Sequence, residues 1–522
     1  MIKCYYVVRI NISNNGGIMS IGYDKKNGVL YAKICTGKRE GGIVKSTQIS
    51  LGRVLDKDKG IYQNRARGIF TYNDSTGEYG TPPSSYVPPA SKRKNAKEKL
   101  ILDFGDAFFL DSYMKKIGFD EVVDSIGYGN PDTVKAMILY YLLSFSANCY
   151  ADTWYSGSYA RELYPKANLS SQRISDFLSV IGEEANQRAF FSEYFKYILK
   201  DGKEDNGIMI DSTGLPDSIH FPLTAVSNHN GKISNETRLI YVVQQGTNMP
   251  LFFRYVPGNV IDVSTQTKTI AELKAHSINT KFAIVDAGYL TDDGIRKFDE
   301  EGISYLSRMK ENRKEYKALL KKHMPTLQAN KENLVRYGDR FVFMESSEFE
   351  IAGCKAYGYV AMDINTRAYE TSKRCTKAAA SNETTDELYD SLENRGVFVL
   401  FSSRRIAKEK VLDTYYTRQQ IEQVFDLVKN NTNMLPLRVH TEETFRGHLL
   451  LTFVSSVIAK MLQKDLKDSG LSLNGALMNL RIQKCKVFDS VIIPCESVKT
   501  QNQIYGKFKM KSPLEIQRVT SN

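Results

Sequence analysis

The chain is expected to be an α/β protein with a mixed sheet flanked by helices, a β-rich insertion before the last core helix, a small β-rich N-terminal domain and a helical region. Three observations predict this. From Leu100 to Lys200 apolar residues recur at helical spacing, and from Gly207 the pattern switches to runs of strand formers such as GIMID (207–211). Between Met249 and Met309, strand-like runs alternate with helix-like ones in a β-α-β-α-β order. Residues 1–72, by contrast, hold brief β-like runs broken by glycine turns.

Taken in order, residues 1–72 form a basic β-rich domain, and the polar, proline-rich and then lysine-rich stretch 73–99 reads as a linker. Residues 1–99 carry 18 Lys and Arg against 7 Asp and Glu, so nearly all of the net charge of +12 lies there. That asymmetry points to a polyanionic partner, nucleic acid before membrane. Residues 100–206 are read as several short helices, either a support or a DNA-binding module. A core is expected over 207–465. It opens with strands at 207–211, 237–245 and 249–256, the last two joined by the turn Gly246-Thr247-Asn248. Helix, strand, helix and strand follow at 262–276, 281–286, 292–300 and 302–309. An insertion is placed at about 311–395, with 373–390 as a mobile stretch, before the strand 396–403. Residues 445–462 read as a core helix, and the C-terminal region 466–522 carries little signal.

Several classes are disfavoured by composition. The seven cysteines show no C-x-x-C pair and the six histidines no H-x-x-x-H, so neither a zinc site nor a disulfide framework is expected. No uninterrupted apolar run reaches about 18 residues, so a soluble, cytoplasmic protein is expected.

The candidate chemistry centres on DTYYTRQQIEQVFDLVKN (413–430). Read as one helix, Tyr415, Arg418, Glu422 and Lys429 fall within an arc of roughly 60°, beside an apolar stripe of Ile421, Val424, Phe425 and Val428. The stripe should bury and the arc should face a site. Arg, Lys and Tyr groups spread over some 20 Å of helix suit a polyanionic strand gripped at several phosphates. Upstream, Asp211 and Asp286 each end an apolar strand, where residues of neighbouring strands line a binding crevice. Together with Glu422 they are the hard oxygen ligands that Mg²⁺ or Mn²⁺ prefers, and two such ions about 3.5–4 Å apart can drive an in-line displacement at phosphorus. Asp262 is a competing ligand but fits equally as a helix cap. His220, His229 and His448 have no partner at metal-ligand spacing, and Trp154, the only tryptophan, is read as core.

The spacing of Tyr415, Arg418, Glu422 and Lys429 resembles the tyrosine-arginine-glutamate-lysine signature of bacterial insertion-sequence transposases of the DDE class. The resemblance spans about 207–465 and includes Gly258-Asn259-Val260-Ile261-Asp262 and Arg308-Met309-Lys310. It implies an RNase H-like core with a β-rich insertion between the second Asp and the Glu. It also implies metal ligation by Asp211, Asp286 and Glu422, and contacts from Tyr415, Arg418 and Lys429 to the transposon end. The implied activity is cleavage at element ends and joining of the 3′-hydroxyl to target DNA, by at least a dimer on double-stranded DNA. An RNase H-like nuclease without strand transfer and a catalytically inactive, domesticated DNA-binding protein are the alternatives. One local departure is a potential capping box, Thr417-x-x-Gln420, which would start the helix at Arg418 and leave Tyr415 on the preceding turn.

Overall fold

The computed structural model describes residues 11–12, 18–26, 29–40, 43–83, 86, 100–200, 207–216, 223–227, 234–259, 263–276, 278, 280–287, 290–380, 384–432 and 434–518. The chain divides into two units, Met1–Lys97 and Glu98–Asn522.

Among the described residues of the first unit, seven strands pair with their neighbours in sequence: β1 (Asn11–Ile12), β2 (Ile18–Lys26), β3 (Val29–Glu40), β4 (Ile43–Asp56), β5 (Ile61–Asn64), β6 (Gly68–Tyr72) and β7 (Tyr79–Gly80). The sheet therefore continues beyond residue 72, because the polar turn after Tyr72 returns the chain for a short seventh strand. Its core is small, built on Ala32, Ile34, Leu51, Tyr62, Phe70 and Tyr72. Lys57 and Arg67 lie over the rings of Tyr23 and Tyr79, at 4.7 and 4.2 Å from the ring centroids.

The second unit opens with strand β8 (Leu100–Asp103), where a helical region was expected. Seven helices follow: α1 (Gly105–Ile117), α2 (Phe119–Asp124), α3 (Pro131–Leu143), α4 (Ala151–Gly157), α5 (Ala160–Leu163), α6 (Ser171–Ile181) and α7 (Glu184–Leu199). Local chemistry fixes the start of α3. Asn130 accepts a hydrogen bond from the Thr133 amide, and Pro131 occupies the first helical position of α3.

The sheet that positions the site starts with β9 (Ile208–Pro216), β10 (Ala225–Ser227), β11 (Ser234–Gln244) and β12 (Pro250–Pro257). The turn between β11 and β12 places Gly246 at φ 86° and Asn248 at φ 59°, conformations these two residue types tolerate best. Next come α8 (Val263–Ala275), β13 (Phe282–Val285), α9 (Asp292–Glu300) and β14 (Ser304–Arg308). β11 lies antiparallel to β9 and to β12, whereas β13 lies parallel to β9 and to β14. The order across this part is β12-β11-β9-β13-β14.

The expected insertion is a continuation of the same sheet. After α10 (Lys314–Leu327), strands β15 (Leu334–Tyr337), β16 (Arg340–Ile351), β17 (Cys354–Asp363) and β18 (Val397–Ser402) extend it in the order β14-β18-β17-β16-β15. Residues 373–390, read from sequence as a mobile stretch, belong largely to α11 (Ile364–Ala378) and α12 (Thr385–Glu393). Thr384 caps α12 with a complete capping box to Glu387, the local signal that the polar composition obscured.

The chain then forms α13 (Lys408–Tyr416), α14 (Gln419–Asn431), α15 (Glu442–Asp465), α16 (Leu473–Arg481), β19 (Lys484–Val487), β20 (Val491–Pro494), α17 (Lys499–Lys507) and β21 (Ile516–Gln517). α14 and α15 cover one sheet face, with the rings of Phe425 and Phe453 packed on Tyr241 at 5.8 and 5.7 Å. α8 and α9 cover the other, through the Arg254–Glu272 ion pair and the Phe298–Tyr305 contact. α15 is long and apolar enough to cross a membrane, but most of it is buried inside the fold, as a core helix would be. Gly447 on α15 meets the backbone of Leu178 on α6 closely enough that a Cβ would collide with the Leu178 carbonyl oxygen. Finally, β8 pairs with β19, so the beginning and the end of this unit meet in one small sheet, β21-β20-β19-β8.

Candidate active site

Register alone places the first two acids. β9 and β13 run parallel with Ala283 opposite Ile208, Ile284 opposite Met209 and Val285 opposite Ile210. One step further, Asp286 falls level with Asp211 on the adjacent strand and on the same face. Asp286 follows the last residue of β13, as expected, but Asp211 sits in the middle of β9. The difference arises because β9 continues to Pro216, paired with Glu236–Gln244 of β11, with Asp211 opposite Tyr241.

The helical segment read as one helix is two, α13 and α14, which meet at Thr417 and Arg418. Both residues keep helical dihedrals, and the junction tightens to three-residue hydrogen bonds, with the Gln420 amide donating to the Thr417 carbonyl and the Ile421 amide to that of Arg418. The expected capping box does not form. The Thr417 hydroxyl donates to the Thr414 carbonyl instead. The apolar stripe is buried as its spacing required, with Ile421, Val424, Phe425 and Val428 in the core.

This junction aims Arg418 at both aspartates. Its Nη1 lies 2.7 Å from Asp211 Oδ2 and 3.4 Å from Asp286 Oδ1. The remaining Asp211 oxygen accepts from the Ser212 amide at 2.9 Å. Asp211 is only 9% exposed, and burial pushes its carboxyl up to about 6, against the pull of Arg418 and with reinforcement from the negative charges of Asp286 and Glu422. Burial opposes the Arg418 charge, but Asp211, Asp286 and Glu422 outweigh it and hold the guanidinium above its usual range. Glu422, one turn into α14, is exposed and lies near enough to Asp211 and Arg418 to act on both electrostatically.

At the far end of α14, Lys429 Nζ donates to Thr213 Oγ1 at 2.6 Å and to the Gly214 carbonyl at 3.2 Å. Burial lowers its pKa. Tyr415 is the residue the angular reading placed least well. It lies on α13 and is 5% exposed, with its ring centroid 5.8 Å from the Arg418 guanidinium. Burial raises its hydroxyl to about 12.

Thr213 was not singled out from sequence, although a residue two positions after Asp211 on a strand must share its face. Glu236 was also missed. It is buried, opposite Pro216, and close enough to Lys429 to act on its charge. His448, on α15, bonds to the Tyr141 hydroxyl at 2.7 Å and to the Met434 carbonyl at 3.2 Å, as a packed residue. Trp154 packs partly buried against the core. Asp262, His220 and His229 lie outside the described residues.

The donor set suits a hard cation in part. Two carboxylates converge on one positively charged nitrogen, which stands in for a cation at that point. Among the described residues, no three His, Cys, Asp or Glu side chains close into a ready-made metal cluster, so Glu422 does not complete the set in this arrangement.

No curated protein matches the chain. Among solved structures, it is similar to the piggyBac transposase in a cryo-EM synaptic complex with hairpin DNA, at 11% identity and a TM-score of 0.40, over 72% of this chain and 79% of that one. Residues 202–458, just under half of the chain, match the family model for the transposase DDE domain, and that stretch holds Asp211, Asp286, Tyr415, Arg418, Glu422 and Lys429.

Proposed function

We propose that the protein is a DDE transposase of the bacterial insertion-sequence branch with the Tyr-Arg-Glu-Lys signature. In this reading it cuts DNA at the ends of its element and joins the freed 3′-hydroxyl to target DNA. The observation that carries the reading is the convergence of Asp211 and Asp286 on Arg418, from the helix pair that also brings Glu422 and Lys429 to the same sheet face. The strand order β12-β11-β9-β13-β14, three antiparallel strands followed by two parallel to the first of them, supports an RNase H-like core.

Asp211, Asp286 and Glu422 would hold Mg²⁺ or Mn²⁺, in a two-ion arrangement. When bound, such ions supply an activated water or 3′-hydroxyl and stabilise the leaving oxygen at phosphorus. The chain's own residues do the positioning. Arg418 and Lys429 offer charge-assisted bonds to backbone phosphates, and Tyr415 contributes from beneath by supporting the Arg418 side chain. The basic stretch 1–99 adds sequence-independent affinity for DNA. Two ends must be brought together, so the working form is at least a dimer on DNA.

The test is a cleavage assay on duplexes taken from the terminal inverted repeats flanking the gene. Cleavage should require Mg²⁺ or Mn²⁺ and cease in EDTA. Glu422→Gln should abolish it while leaving end binding nearly intact, because the amide keeps size but not the charge that holds a divalent ion. Cleavage that persists in EDTA would overturn the metal reading. Cleavage without joining to added target DNA would identify a nuclease instead, and intact end binding with no cleavage by the wild type would identify an inactive DNA-binding protein.

A further inference from the structure

The proposed reading makes Asp211 and Asp286 cation ligands, yet a cation of the chain itself stands between them. One nitrogen, Arg418 Nη1, reaches an oxygen of each acid, at 2.7 and 3.4 Å. The other Asp211 oxygen is already an acceptor for the Ser212 amide. Mg²⁺ shared by the two acids needs oxygens at about 2.0–2.1 Å with near-octahedral geometry, and it would take the place between them that the guanidinium nitrogen holds. The position of Arg418 is also well supported. Its side chain is only 20% exposed, and the tight junction between α13 and α14 and the Tyr415 ring hold it in place.

We propose that Arg418 is a built-in counter-ion that competes with the divalent cation for Asp211 and Asp286. This rests on the metal reading of those acids. Off DNA, the guanidinium offsets one of the two carboxylate charges, holds the place between them and lowers the population of molecules able to take a metal, so the apparent metal affinity falls by that fraction. A DNA phosphate offers the same guanidinium another anionic partner. Engagement of DNA and loading of metal are thereby linked, and each favours the other to the same extent. The chain is kept from hydrolysing DNA until a phosphate has drawn the arginine away.

The experiment titrates Mn²⁺ into the full-length, metal-free protein without DNA and follows the free-ion paramagnetic resonance signal. Arg418→Ala and Arg418→Gln should each bind Mn²⁺ about tenfold tighter than wild type or more, the size expected from losing one charge-assisted bond to a carboxylate. Adding Asp211→Asn to Arg418→Ala should remove the gain. Lys429→Gln deletes the same charge from the same region without touching either acid, and it should give a much smaller gain. Equal gains in the Arg418 and Lys429 variants would show a general field effect and overturn the proposal. So would a weaker or unchanged affinity in both Arg418 variants while Asp211→Asn still impairs binding, a result that leaves the metal reading standing. If neither Asp211→Asn nor Asp286→Asn alters Mn²⁺ binding in any background, the metal reading itself falls, and the proposal with it.

Discussion

Replacing Asp211 by asparagine should change the stability of the metal-free protein by an amount that depends on pH, shifting in favour of the variant as the pH rises from 4 to 7. Burial pushes this carboxyl from its ordinary value of 3.8 up to about 6, and Arg418 offsets only part of that. The folded chain therefore holds the proton more tightly than the unfolded chain does. Asp211's favourable contribution is fully present below about pH 4 and is lost as the pH rises through 6. A shift of about two pH units corresponds to about 3 kcal/mol, which is large against the stability of an ordinary domain. Asparagine cannot titrate, so its packing sets a constant offset, and the wild-type-minus-variant difference isolates the ionisation. Chemical denaturation in chelator at pH 4, 5, 6 and 7 measures that difference. Wild type should lose about 2.4 kcal/mol relative to Asp211→Asn between pH 4 and pH 7. A flat difference, or one that favours wild type as the pH rises, would mean that the Arg418 attraction outweighs burial and that the reasoning is wrong.

Two further outcomes follow from packing and charge. Gly447→Ala should lower stability by about 2–4 kcal/mol, because its methyl group meets the Leu178 carbonyl, which is backbone and can yield only by moving α6; an unchanged melting temperature would show that the two helices are not held that close. Removing residues 1–99 should flatten the dependence of log K for DNA on log[salt] by about 0.9 for each phosphate those residues neutralise, and an unaltered slope would place the DNA contacts elsewhere.

Much of the candidate site was legible because its determinants are local. Two apolar runs ending in or containing an acid, GIMID and KFAIVD, predict strands, and the register of parallel neighbours then aligns Asp211 with Asp286. The buried stripe of α14 followed from its 3.6-residue period. What failed depended on partners remote in sequence. Asp211 was placed at a strand end because the apolar run stops there, but β11 supplies ladder partners for five more residues. Tyr415 was assigned to a surface arc on the assumption of one straight helix; a tight junction between two helices turns it inward. Whether the segment after β14 would stand apart or join the sheet was not readable from its strands alone. That choice was made by β18, whose six buried residues all pair with β17, the last three of them also with β14. Leu100–Asp103 illustrates the same limit, since four residues at the head of a helical stretch give no periodicity to separate strand from helix.

The pairing of that short strand with β19 affects how the chain is made. β8 leaves the ribosome some 380 residues before its partner, and the ion pairs Lys484–Asp103, Arg481–Asp106 and Arg518–Glu162 tie the same two regions together. A product of premature termination between Lys429 and Val487 would carry every candidate site residue, yet would leave β8 without its full ladder partner and Phe109 and Tyr113 without the Phe508 ring packed on them. Such fragments should be recognised by exposed apolar surface and degraded. Completion of synthesis thus becomes a condition for a lasting protein, and defective copies of the gene would yield few long-lived partial products.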